Sequence, residues 1–300
     1  MKKIFCVTCH KLTNPLQLTV EYLSSFKENT VLIHVDDKFD MEPFNFLRSE
    51  NVLFITDRVN VKWGGYSQIE STIKLLTKSL SFDFKYLFFI SGDDLPCKSN
   101  QEINDFINSI EFKNMVHFQD ERNSYVDPEQ RVKYNYPLFF FNKRKNILDK
   151  VKSKVFKFFG FLFINKSYKE SLLKGMVFYK GTSWFSLNNM TVRLLLNFLN
   201  ENEWYFDIYK KSLCGDEVFF HTALKYLKVN DFYHNPNEMN DALRYIDWKS
   251  GPEYPKILNS GDLFSIKETS CLFARKFTDE SASDIIKCFI LDSPSALLNK

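Results

Sequence analysis

The chain has 300 residues, a formal net charge of +3 and 17% aromatic residues, 32 of them Phe. So small a charge does not argue for nucleic-acid binding, which normally needs a concentrated basic face. Six scattered cysteines (Cys6, Cys9, Cys97, Cys214, Cys271 and Cys288) exclude a disulfide-stapled secreted domain and read as reduced thiols.

The amino terminus is basic, but its apolar stretch ends at His10-Lys11, too soon for a secretory signal, so a cytoplasmic chain is expected. Lys3 to Cys9 predicts a buried strand. Cys6-Val7-Thr8-Cys9-His10 matches a haem-attachment pattern, yet it lies on an apolar, β-branched run, and the strand reading takes precedence. Pro15 to Phe26 predicts a helix. Thr30 to Val35 and Asn51 to Ile55 predict strands ending in Asp36-Asp37-Lys38 and Asp57-Arg58. Ser67 to Leu80 carries Ile69, Ile73, Leu76 and Leu80 at helical spacing. Lys85 to Ile90 predicts a fourth strand ending in Ser91-Gly92-Asp93-Asp94-Leu95-Pro96, after which Ser99 is placed to cap a helix.

This alternation predicts an α/β fold with a mostly parallel central sheet flanked by helices. Its polar residues gather at the carboxyl ends of the strands, where open α/β sheets bind ligands. The segment 119–176 is less regular and reads as an insertion or lid. Between Lys143 and Lys169 a single acid, Asp149, is set against nine Lys or Arg interleaved with five Phe, a membrane-surface pattern. The longest apolar run, Val155 to Ile164, is far short of the roughly 20 residues that span a bilayer. Val177 to Tyr179, a helix near Asn189 to Leu199 and another near Glu217 to Leu227 follow. No repeat or low-complexity linker supports a second domain, so one catalytic domain over 1–300 is expected, with 1–118 binding the nucleotide and 177–300 the acceptor.

Taken in order, the early strand ending in His10, then Ile33-His34-Val35-Asp36-Asp37-Lys38, Val61-Lys62-Trp63-Gly64-Gly65-Tyr66-Ser67, Ser91 to Pro96, Gly181-Thr182-Ser183-Trp184-Phe185-Ser186-Leu187, Gly215-Asp216-Glu217 and Leu272-Phe273-Ala274-Arg275-Lys276-Phe277 resemble one family. It is the core-2/I-branching N-acetylglucosaminyltransferase and peptide O-xylosyltransferase family. The resemblance covers nearly the whole chain. It implies a GT-A-type, Rossmann-like fold and an inverting glycosyltransferase, fed by a UDP-sugar and acting on a glycan or lipid-linked oligosaccharide. Animal members carry membrane anchors and several disulfides; this chain looks like a shorter bacterial-type relative, with peripheral contact to the cytoplasmic membrane as its only expected membrane association.

A sugar hydroxyl is a poor nucleophile at neutral pH, so an inverting transferase needs one carboxylate as general base. The resemblance assigns this to Glu217, at the start of a helix whose dipole favours the ionised form. The residues alone also fit Asp216 and Glu217 as ordinary first-turn acids. For the departing diphosphate the family uses basic side chains instead of a metal, and Arg275 and Lys276 match that position. No cofactor or metal is expected. The resemblance places His10, Asp36, Arg58, Trp63 and Asp94 at the donor. It places Trp184, Trp248, Asp216, Arg244, Glu129, Arg131 and Tyr134 at the acceptor, where aromatic faces can stack on sugar rings. Two alternatives remain open from the residues: a metal-dependent transferase using Asp93 or Asp94, and a non-catalytic carbohydrate-binding protein.

Overall fold

The structure, a computed structural model, describes residues 1–142, 146–251 and 255–280. Cys288 and the basic residues Lys143, Arg144 and Lys145 lie outside the described residues. The chain begins β1 (Lys3–Cys9), α1 (Asn14–Ser24), β2 (Asn29–Val35), β3 (Val52–Phe54), α2 (Ser67–Ser79), β4 (Tyr86–Ser91), β5 (Leu95–Pro96), α3 (Asn100–Ser109) and β6 (Met115–Phe118). It continues α4 (Glu129–Val132), α5 (Ile147–Phe159), α6 (Lys166–Leu173), β7 (Gly181–Asn188), α7 (Asn189–Glu201) and α8 (Glu203–Asp207). Then come α9 (Asp216–Tyr226), β8 (Arg244–Ile246), α10 (Leu263–Lys267) and β9 (Phe273–Arg275).

Six strands form the central sheet in the order β3-β2-β1-β4-β7-β6. The first four are parallel, and β7 and β6 join antiparallel. The expected mostly parallel α/β sheet is therefore present. Side chains of successive strand residues point to opposite faces. Ile4 and Cys6 of β1 accordingly join Leu87 and Phe89 in one apolar layer, packed with residues of α2, α7 and α9. Phe5 and Val7 join Phe88 and Ile90 in the other, with residues of α1 and α3. Cys6 is wholly buried there, and burial pushes its thiol up, in keeping with a core strand.

Local signals set the helix starts. Thr13 accepts from the Leu16 amide at the head of α1. Ser99 and Glu102 form a reciprocal capping box at α3, with Glu102 N donating to Ser99 Oγ at 3.1 Å and Ser99 N to Glu102 Oε2 at 2.7 Å. The segment 119–176 departs from expectation: α5 and α6 are regular helices, their starts capped by Asn146 and Asn165. Val177 to Tyr179 is not a strand. Strand pairing begins at Gly181, which faces Phe118 of β6. A Cβ at Gly181 would lie 2.0 Å from His117 O and 2.1 Å from His221 Nε2, so only glycine admits this approach of β6, β7 and α9.

A second, three-stranded sheet, β5-β9-β8, is built from very short strands. Leu95 pairs with Ala274 and Pro96 with Phe273, antiparallel, so continuing the register by one residue brings Asp94 opposite Arg275. Among the described residues no helix is long and apolar enough to cross a membrane.

Candidate active site

The carboxyl ends of β1, β2 and β4 and the loop after β3 carry the donor candidates. Asp36 is buried, and its carboxylate accepts from the amides of Lys38 and Val61, both at 3.1 Å, with the Lys38 ammonium at 3.1 Å. It thus ties the loop after β2 to the loop after β3. Arg58 ion-pairs with Asp37 at 3.1 Å and donates to Phe39 O at 2.7 Å. His10 is exposed, with its ring edge against Phe39 at 5.7 Å. Burial lowers His34, next to these residues, to about 4, and its neutral Nε2 accepts from the Val59 amide at 2.9 Å.

Asp94 follows β4 and is fully enclosed. Its carboxylate accepts from Ser91 N at 2.7 Å and Ser91 Oγ at 3.0 Å. Burial pushes its pKa up, while the Arg275 charge opposes that rise. Arg275 Nε lies 3.1 Å from Asp94 Oδ1 in an ion pair that lacks hydrogen-bond alignment, and the guanidinium sits 4.4 Å over the Trp184 ring. Arg275 is thereby oriented from two sides. Planar stacking of this kind is available to arginine and not to lysine. Lys276 Nζ pairs with Asp93 Oδ2 at 3.3 Å. The two acids that invite a metal reading are each engaged by a cation of the chain itself.

At the other end, Asp216 and Glu217 open α9. Glu217 is partly exposed, and its Oε2 meets Arg131 at 3.0 Å and Lys180 at 3.2 Å. Asp216 is buried and accepts from Ser183 Oγ at 2.7 Å. Burial, and then the Glu217 charge, raise its pKa from the usual 3.8 to about 6. Ser183 and Trp184 are neighbours on β7, so this strand touches the acidic helix start with one residue and stacks under Arg275 with the next.

The loop entering α9 is held to the loop before α2. Cys214, at φ +51°, donates its amide to Gly64 O at 2.7 Å, and Gly64 has φ +68°. A side chain at Gly64 would meet the strain of positive φ and the Cys214 Sγ at 3.3 Å. Beside Arg131 this junction borders a cavity of about 360 Å³ lined by Trp63, Arg131, Phe140, Asn142, Lys150, Leu213 and Cys214. Trp63, a donor-side expectation, is about half exposed and stands in this cavity with Arg131.

The other acceptor expectations are dispersed. Trp184 packs on Phe89 at 5.2 Å beneath Arg275. Glu129 accepts from the Tyr168 hydroxyl. Tyr134 lies in an aromatic cluster with Tyr136 and Phe156. Trp248 stands exposed beyond β8. Arg244, another acceptor expectation, is 1% exposed, donates to Ala242 O at 3.0 Å and Ser186 Oγ at 3.3 Å, and lies over the Phe273 ring, so it braces the small sheet from within. Burial lowers it to about 10. The Arg-Tyr-Ile triplet of β8 alternates about the sheet and gave no signal of which side would be enclosed.

Lys180 and the pairing of Ser183 with Asp216 were not anticipated. Lys180 directly precedes the Gly181 to Leu187 string, which was its one available signal. A further cluster of His117, Asp120 and Asp241 is occupied by Arg122, whose guanidinium reaches Asp241 Oδ2 at 2.8 Å and also pairs with Asp120.

The fold is an α/β one, and the candidate groups gather along the carboxyl edge of its mostly parallel sheet. The Core-2/I-Branching enzyme family model matches residues 4–267, and the chain belongs to that family. No curated protein matches it. Among solved structures, S. aureus TarS is similar over 48% of this chain, at 14% identity and a TM-score of 0.29, and no argument rests on that likeness. The chain spans about a quarter of the length of the TarS chain, with 26% covered.

Proposed function

We propose that the protein is an inverting, metal-independent transferase that moves a sugar, with N-acetylglucosamine favoured, from an α-linked UDP-sugar to a glycan hydroxyl in bacterial surface-glycan synthesis. The acceptor oxygen attacks the anomeric carbon from the face opposite the diphosphate, a carbon–oxygen bond forms, and the bond to the diphosphate oxygen breaks. Glu217 takes the hydroxyl proton, and UDP leaves toward Arg275 and Lys276. Backside displacement turns the α-linkage into a β-linkage.

The observation that carries this reading is the joint anchorage on β7 of an acidic helix start and a stacked arginine. An inverting transfer needs a base and a diphosphate site, and the β7 contacts to Asp216, next to Glu217, and to Arg275 support their assignment to these two roles. Engagement of Asp93 and Asp94 by Lys276 and Arg275 supports charge neutralisation by side chains.

A panel of UDP-sugars, incubated with EDTA and followed by product NMR, tests the reading. One donor is expected to be consumed at an undiminished rate and to yield a β-anomer. Activity abolished by EDTA and restored by manganese would establish the metal-dependent alternative, and an α-product would exclude inversion.

A further inference from the structure

We infer that α5 and the turn after it form a docking face for an anionic lipid bilayer. The helix has two apolar sides, and the fold uses only one. On the inner side Phe156 packs among Tyr134, Tyr136, Phe140 and Phe163, while the buried Asp149 carboxylate accepts from Asn142 at 2.9 Å. On the outer side Ile147, Leu148, Val151, Val155, Phe158 and Phe159 are each at least 50% exposed. At about 100° per residue these six positions fall within an arc of roughly 120°, so they make one continuous stripe. Phe161 and Leu162, just beyond the helix, extend it and are also exposed.

Charge complementarity identifies the occupant. On the same helical projection Lys152 borders one edge of the stripe, and Lys154, Lys150 and Lys157 border the other. The helix's only acid, Asp149, is turned inward. An apolar stripe rimmed on both sides by lysines matches the boundary between acyl chains and anionic headgroups, where an amphipathic helix lies parallel to the surface. A protein partner would need an apolar ridge flanked by two acidic rows; a bilayer presents that combination everywhere. Helix α5 also supplies Lys150 to the cavity that holds Trp63 and Arg131, so a bilayer on the outer stripe borders the cavity mouth. Docking does not require the transferase reading, whereas its use, presenting a lipid-linked acceptor, does rest on it.

Sedimentation of the full chain with phosphatidylcholine vesicles, with or without phosphatidylglycerol, tests the inference. Binding is expected only to the anionic vesicles and is weakened by salt. Phe158→Ser combined with Leu162→Ser is expected to reduce binding about tenfold or more. Lys154→Glu with Lys157→Glu should abolish it. Both exposed pairs should leave hydrolysis of the donor unchanged, which separates docking from chemistry. Failure of the wild-type chain to bind, equal binding to neutral vesicles, or a dimer in sedimentation velocity that Phe158→Ser with Leu162→Ser dissolves would overturn the inference. The dimer result would assign the face to a second copy.

Discussion

The two ends of the site are both built from carboxylates and cations, but in opposite proportions. At the start of α9 a single Glu217 oxygen faces two cations, Arg131 and Lys180, while the adjacent Asp216 is buried with its pKa raised to about 6. At the junction of β5 and β9 each cation has its own acid, Arg275 with Asp94 and Lys276 with Asp93. The first arrangement holds a carboxylate between two cations. The second aims a guanidinium through a buried acid and an aromatic ring. Surplus positive charge is thus found beside the proposed base, and orientation beside the proposed diphosphate group.

Removing Arg275 should break the second end most severely. Arg275→Ala is expected to lower kcat about 10²- to 10³-fold, the usual scale for losing one preorganised electrostatic donor. Arg275→Lys should recover little, because a lysine can neither stack on Trp184 nor offer a fork. Steady-state kinetics on the preferred donor would show both, and full recovery by lysine would reduce Arg275 to a point charge.

A smaller effect should sharpen the first end. Lys180→Met removes one of the two cations that hold the Glu217 carboxylate, so kcat on the preferred donor should fall only several-fold. An unchanged kcat would leave Lys180 outside the chemistry.

The smallest effect concerns stability. Because folding raises the Asp216 pKa from 3.8 to about 6, the folded state binds the extra proton in that interval. Its contribution is present below about pH 4 and is lost as pH rises through 6. Asp216→Asn, which keeps an acceptor for Ser183, should therefore gain thermal stability relative to the wild type between pH 4 and 7. Melting temperatures that differ by a constant amount across that range would refute the assigned shift.

The same contrast explains what was legible in the sequence. Strands β1 to β4 announce themselves by apolar runs, followed by His10 after β1 and by Asp or Arg after β2, β3 and β4, and these positions mark the polar edge. The small sheet did not announce itself: β5 has two residues and β8 and β9 three each, too few for a period to emerge. Asp94 meets Arg275 only through the pairing of Leu95 with Ala274, a register set by tertiary packing. The enclosure of Arg244 was hidden for the related reason that burial of a charged residue leaves no mark in a three-residue strand. Helix α5 was visible as charge and aromatic content but not as a helix, because both of its faces carry apolar residues and the simple inside–outside pattern is lost. Lys180 carried no signal beyond its place in front of a quoted string.

The central claim is that Glu217 is the base, and Glu217→Gln tests it most directly because the amide keeps the shape and loses the basicity. Donor affinity by calorimetry and turnover by product formation should be measured on the same preparation. The account predicts near-native UDP-sugar binding with turnover reduced about 10²- to 10⁴-fold, the range general-base catalysis supplies. Turnover equal to that of the wild type, with binding intact, would contradict it.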